Sequence, residues 1–299
     1  MTTDRRDPLL PIKIAAHRAL RYARWAWEGR TYARRRPPAH GTRTLLADSR
    51  SRLVRDPARA HLEMVAGKIQ NLRLAAAALN GVVIRPGETL SFWYVVGEPS
   101  RGRGFQDGME LRSGCIVPSP GGGLCQIAGA IFEVALRVGL TIVEHHAHSL
   151  EIAPEHDRIR PFGVAAAVLY PYRDLRVRND RHHAITVSAR VDADALVVSA
   201  SAPQASACVL DLEERVYELR RAGGRLVRAG QLWQVCRVRG SGEPVFERLV
   251  LEGAVEVMED LPRSHCFTCA KACLNARVHA PGAGRARVEA ELSAAGRPA

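Results

Sequence analysis

Residues 120–148 read PGGGLCQIAGAIFEVALRVGLTIVEHHAH, and the fold turns on how this stretch is parsed. Three consecutive glycines, Gly121, Gly122 and Gly123, break any regular element and mark a turn that lets backbone approach a neighbour closely. Beyond them Ile127, Ile131, Val134 and Val138 recur at spacings of three and four, the stripe of a helix that opens at or near Cys125. From Leu140 the period changes to an extended one. If the chain stays extended, Glu144, His146 and His148 share one face while His145 and Ser149 take the other.

Upstream, Leu62, Val65, Ile69, Leu72, Ala76 and Leu79 step by three and four, which predicts a helix between Pro57 and Asn80, stopped by Asn80-Gly81. Val82–Ile84 and Leu90–Val96 then read as strands around a Pro86-Gly87 turn. Further strands are expected at 140–144, 164–170, 175–178, 184–191 and 195–199, and the strand signal continues past residue 205 between Gly-rich turns. The expected fold is α+β: a mixed, largely antiparallel β-sheet with helices packed on one side, plus a basic N-terminal helix and a small β-rich C-terminal unit. The boundaries that follow are 1–56 for a basic helical extension, 57–204 for the core domain and 205–299 for the C-terminal unit. No repeat of 20 to 50 residues is visible, which argues against solenoids and propellers.

The chain has 299 residues, 46% hydrophobic and 25% charged, which excludes wholesale disorder and collagen-like or coiled-coil composition. Its net charge of +12 is uneven: residues 1–43 hold eleven Lys and Arg against Asp4, Asp7 and Glu28, a balance of +8, and residues 44–299 hold the remaining +4. Within that segment Ile12, Ala16, Leu20, Ala23 and Trp27 alternate with Lys13, Arg18, Arg21 and Arg24, the pattern of a basic amphipathic helix. The plainer reading is a solvated helix packed on the main domain, and peripheral contact with an anionic membrane through residues 9–36 is the alternative. Nucleic acid is disfavoured, because no zinc-finger spacing or RNP-like aromatic motif accompanies the charge. No apolar run reaches 18 residues and no signal-peptide pattern opens the chain, so the expected location is cytoplasmic, at most peripheral at the inner membrane surface.

Cys125 at a helix start is placed where the dipole and free N–H groups favour a thiolate. The Gly121–Gly123 backbone could donate to an oxyanion, His146 or His148 could act as base, and Glu144 or Asp157 could orient it. Gln126 and Ser149 join the glycines as candidate substrate-binding residues. Such a set suits a thiol-dependent acyl transferase or hydrolase acting on a peptide-like substrate. The alternative is a non-catalytic module that binds an anionic or peptide ligand with the Gly-rich loop and histidines, and a purely structural role for Cys125, Gln126 and the histidines is the third reading. Zinc shared by Cys125, His146 and His148 is a weaker reading of the same residues.

The seven cysteines do not read as a disulfide framework, the count being odd. Cys266, Cys269 and Cys273 fall on one face of a helix and could hold zinc, with His265, Cys236 or Cys208 as fourth ligand; an iron–sulfur cluster is the alternative.

Several segments together resemble the VanW family, which takes its name from a protein encoded with B-type vancomycin resistance genes. They are Asn80–Trp93 with Val96-Gly97, Gly121–Gln126, Glu144–Ser149, Pro161-Phe162-Gly163 and Asp174–Asn179. The resemblance runs over roughly residues 10–200. It implies a link to glycopeptide resistance and a substrate related to the cell wall. Position by position it carries over Pro86, Gly87, Glu88, Gly121, Gly122, Gly123, Cys125, Gln126, Glu144, His146, His148 and Ser149. Ala167 departs from the threonine usual in relatives.

Overall fold

The structure is a computed structural model that describes residues 9–28, 31–35, 43–54, 62–112, 115–148, 150–151 and 160–257. In chain order its elements are α1 (Leu10–Glu28), β1 (Arg34–Arg35), β2 (Thr44–Arg52), α2 (Leu62–Leu79), β3 (Val82–Ile84), β4 (Thr89–Ser91), α3 (Phe92–Val96), β5 (Asp107–Arg112), β6 (Cys115–Pro120), α4 (Cys125–Val138), β7 (Thr141–Glu144), β8 (Leu150–Glu151), β9 (Arg176–Arg178), β10 (Ile185–Val191), β11 (Ala195–Ala202), β12 (Cys208–Ala222), β13 (Arg225–Val238) and β14 (Pro244–Val257). The class is α+β and the strands are mostly antiparallel, as their turn-punctuated pattern predicts.

The strands divide among several sheets. Five form an antiparallel sheet in the order β1-β3-β10-β11-β2, three form β4-β9-β7, β5 and β6 make a hairpin, and β12-β13-β14-β8 closes with a parallel β14–β8 pair. α4 is the hub. Its residues Ile127 to Leu136 are buried without interruption, so the helix is enclosed on all sides rather than along one stripe, and its one buried charge, Glu133, is met by Ser49 at 2.8 Å and Arg160 at 3.4 Å. It packs on β2, β11, β7 and β12. The strands after residue 205 join the same cluster: Leu232 is buried in it, and Gln234 donates its amide hydrogen to the Leu136 carbonyl.

One expected strand breaks in two. Leu90–Val96 is rich in β-formers, yet only Leu90 and Ser91 are extended and Phe92–Val96 is helical. Ser91 is the N-cap, its Oγ accepting the Tyr94 N–H at 3.2 Å. Asp174 supplies a second cap from afar, its Oδ1 accepting the Trp93 N–H at 3.0 Å. Tertiary capping therefore overrides local propensity here. Residues 164–168, also expected as strand, carry no strand assignment and run as an irregular segment beside α4.

Candidate functional site

The glycine turn is built around a crossing of two backbones. Gly122 lies so close to Gly108 that a Cβ on it would stand 2.2 Å from the Gly108 carbonyl carbon and oxygen. Asn71, fully buried, braces the crossing: its Nδ2 donates to the carbonyls of Gln106 at 2.8 Å and Gly122 at 3.0 Å, and its Oδ1 accepts the Gln106 N–H at 2.8 Å. The N–H of Gly121 goes to Gln106 O at 3.3 Å and that of Gly122 to Ser119 O at 2.9 Å. Two of the three expected oxyanion donors are thus committed to the turn itself.

Cys125 is the first residue of α4, where the sequence puts it. Its thiol faces backbone: Sγ accepts the Val168 N–H at 3.5 Å and donates toward the Val168 carbonyl at 3.6 Å. Burial, and after it the Glu110 charge, pushes the thiol up from its ordinary 9.0, against the Val168 N–H, the residue's own N–H and the Arg173 charge, which favour the thiolate. The expected depression at a helix start is reversed, because desolvation outweighs the first-turn field. Gln126 donates from Nε2 to Ser51 Oγ and to Arg52 O, both at 2.9 Å, and so ties α4 to β2.

The histidine run follows β7. The His145 ring stacks on Phe132 with centroids 4.0 Å apart, and its Nε2 lies 2.9 Å from Ala165 O. Burial pulls its pKa below 6.5. His146 Nε2 meets Glu144 Oε1 at 3.1 Å, although β7 ends at Glu144 and the histidines lie beyond it. His148 is also drawn below 6.5, by burial first and then by the charges of Arg173 and His145. None of these rings bonds the Cys125 thiol. Residues 165–168 link the two sides instead, through Ala165 O to His145, the Ala167 N–H to His146 O at 2.7 Å, and Val168 to Cys125.

Glu144 is the most heavily engaged group. It accepts the Asp174 N–H at 3.0 Å and stands 3.5 Å from Arg21, 3.7 Å from Arg24 and 3.9 Å from Arg176. Burial opposes its ionisation, but the Asp174 N–H, His146 and Arg21 together hold its pKa below 4.5. Asp174 beside it is fully buried and is lifted to about 6 by desolvation, although it accepts the Ser91 hydroxyl at 2.5 Å and the Trp93 N–H. Arg21 closes the group, donating from Nε to Pro171 O at 3.0 Å and from a terminal nitrogen to Tyr172 O at 3.2 Å. Sequence reasoning missed Arg21, Asp174 and Ser91 as members of one network. Asp174 stood inside a resembling segment, whereas Arg21 read as one more surface cation.

Arg173 differs from its neighbours. It is exposed, and among the described residues no carboxylate pairs with its guanidinium, although its charge acts on both Cys125 and His148. Ser149 and Asp157 lie outside the described residues, as do His265, Cys266, Cys269 and Cys273, the proposed zinc or iron–sulfur ligands. Among the described residues no three His, Cys, Asp or Glu side chains converge as a metal site, so Cys125, His146 and His148 do not form one. Cys208 and Cys236 neighbour each other on β12 and β13, where burial and the Cys208 thiol push Cys236 to about 11. No helix among the described residues is long and apolar enough to cross a membrane.

Residues 67–200, from within α2 to within β11, match the family model described as VanW like protein. This stretch is a VanW-like domain. It is 27% identical over 265 residues to the vancomycin B-type resistance protein VanW of Enterococcus faecalis (strain ATCC 700802 / V583), an alignment covering 88% of this chain and 95% of that one. It is 29% identical over 129 residues to the uncharacterized protein YoaR of Bacillus subtilis (strain 168), covering 43% of this chain and 41% of that one. No solved structure matches. Through the E. faecalis relative the VanW-like family is linked to vancomycin resistance. The VanW-like match contains the glycine turn, Cys125, the histidines, Arg173 and Asp174, while α1 and β12–β14 lie outside it.

Proposed function

We propose that the VanW-like domain is a binding module for an anionic, peptide-like ligand related to the cell wall, and that Arg173 and His148 grip its carboxylate beside Cys125. The observation that carries this reading is the unpaired guanidinium of Arg173. Arg18, Arg21, Arg24 and Arg176 each have a carboxylate partner, whereas Arg173 stands exposed with none among the described residues and acts electrostatically on His148 and Cys125. A cation beside a neutral imidazole offers two kinds of donor to one anion, and charge-assisted bonds are the strong ones. The cell-wall character of the ligand is our inference from vancomycin resistance, the trait for which the E. faecalis relative is named.

The competing reading is a thiol-dependent acyl transferase or hydrolase. It is favoured by the place of Cys125 on the first turn of α4, and it needs a thiolate with a histidine to take its proton. A buried thiol bonded to Val168 supports the binding reading instead.

Calorimetric titration with a wall-stem peptide bearing a free terminal carboxylate tests the proposal. Arg173→Gln is expected to weaken binding by roughly 10- to 100-fold, the scale of one charge-assisted hydrogen bond, and the peptide amide should bind the unaltered protein as weakly. Equal affinity for acid and amide, or for both proteins, refutes it. Iodoacetamide near neutral pH should label Cys125 no faster than Cys208; clearly faster labelling returns the enzyme reading.

A further inference from the structure

α1 docks inside out. Its residues Ile14, Arg18, Arg21, Trp25 and Glu28 recur every three or four positions and form the inward face. That face is largely polar: Arg18 pairs with Glu98, Arg21 with Glu144 and Asp174, and Glu28 with Arg176, while only Arg21 and Trp25 are buried. The opposite stripe runs through Leu9, Ile12, Ala16, Leu20, Ala23 and Trp27, and all six are exposed. Ile12 keeps 64%, Leu20 66% and Trp27 92% of its surface in solvent. A helix of a water-surrounded protein normally points such a stripe at the core, and a contiguous apolar strip left outside marks an interaction surface.

Charge identifies the occupant. Residues 1–43 carry a balance of +8, and Arg34 and Arg35 stand exposed just beyond the helix. Trp27, which is outward, has the amphipathic ring that favours a headgroup boundary. The helix is not apolar enough to span a bilayer, so it would lie in the plane of one.

We propose that α1 binds an anionic lipid bilayer through its outward Leu9–Trp27 stripe, with the flanking cations on the headgroups. The inward ion pairs keep the helix fixed to the VanW-like domain while it does so. This rests on α1 alone and is independent of any ligand at Arg173.

The test is sedimentation of the full chain with vesicles of phosphatidylglycerol and phosphatidylcholine, set against phosphatidylcholine alone. The unaltered protein should sediment with the anionic vesicles, less so at high salt and weakly with the neutral ones. The triple variant I12E/L20E/W27E alters exposed positions only and should keep its melting temperature, yet lose partitioning by roughly 100-fold, as expected when carboxylates replace apolar side chains at an anionic surface. A variant that sediments as well as the unaltered chain overturns the proposal. So does a lipid-free dimer of the unaltered chain that the triple variant dissolves, because the stripe's occupant is then a second copy.

Discussion

α1 and α4 both carry an apolar stripe at helical spacing, and the fold uses the two in opposite ways. α4 puts Ile127, Ile131, Phe132 and Val134 at the centre of the molecule, whereas α1 turns Ile12, Leu20 and Trp27 outward and docks through arginines. Periodicity tells which residues share a face but not which way the face points. What decides is the surface opposite: α4 meets apolar strands, and α1 meets Glu98, Glu144 and Asp174.

The contrast is broken most sharply by truncation. Phe132→Ala removes a ring that is 2% exposed and stacked on His145, and should cost about 3–5 kcal/mol in urea denaturation, against less than about 0.5 kcal/mol for Leu20→Ala on the outer face of α1. Comparable losses at the two positions would mean that the stripe of α1 is covered in solution.

A smaller effect tests the polar docking. Arg21→Ala leaves Glu144 and Asp174 without their shared cation and should cost about 1.5–3 kcal/mol. Arg24→Ala, with half of that side chain already in water, should cost no more than about 1 kcal/mol. Equal costs would show that Arg21 does not anchor the helix.

Acid separates the two helices more finely. His145 and His148 have pKa values below their ordinary 6.5, so their contribution to stability is complete above pH 6.5 and is lost as pH falls through their folded values. Glu144, depressed below 4.5, keeps its share in the anchoring of α1 until pH falls below that value, whereas Asp174, lifted to about 6, takes up its proton sooner in the folded protein and adds stability as pH falls through 6, opposing the histidines. The urea midpoint should therefore begin to feel the histidines as pH falls below 6.5, with a less unfavourable slope there in His145→Gln. An unchanged slope in that variant would remove His145 from the account.

Much of this was legible in sequence, and for physical reasons. α2, α4 and β9 to β11 follow from side-chain periodicity. The partner of Cys125 was not legible, because Val168 bonds it with backbone atoms that every residue carries. The glycine turn looked like a donor for ligands because its spacing fits that role equally well. Only the approach of Gly108 reveals that the missing side chains make room for a second backbone. The inward face of α1 was hidden for a related reason: cations on a helix look the same whether they meet lipid, water or buried carboxylates.

The distant cap on α3 has a kinetic consequence. Trp93 and Asp174 are 81 positions apart, so the helix Phe92–Val96 gains its second cap only after a long loop has closed. Contacts of that separation slow folding. The Trp93 indole, whose Nε1 donates to Arg173 O at 2.7 Å, sits at the joint where the two segments meet. The protein thus carries its own optical reporter for the moment at which the segment bearing Arg173 arrives.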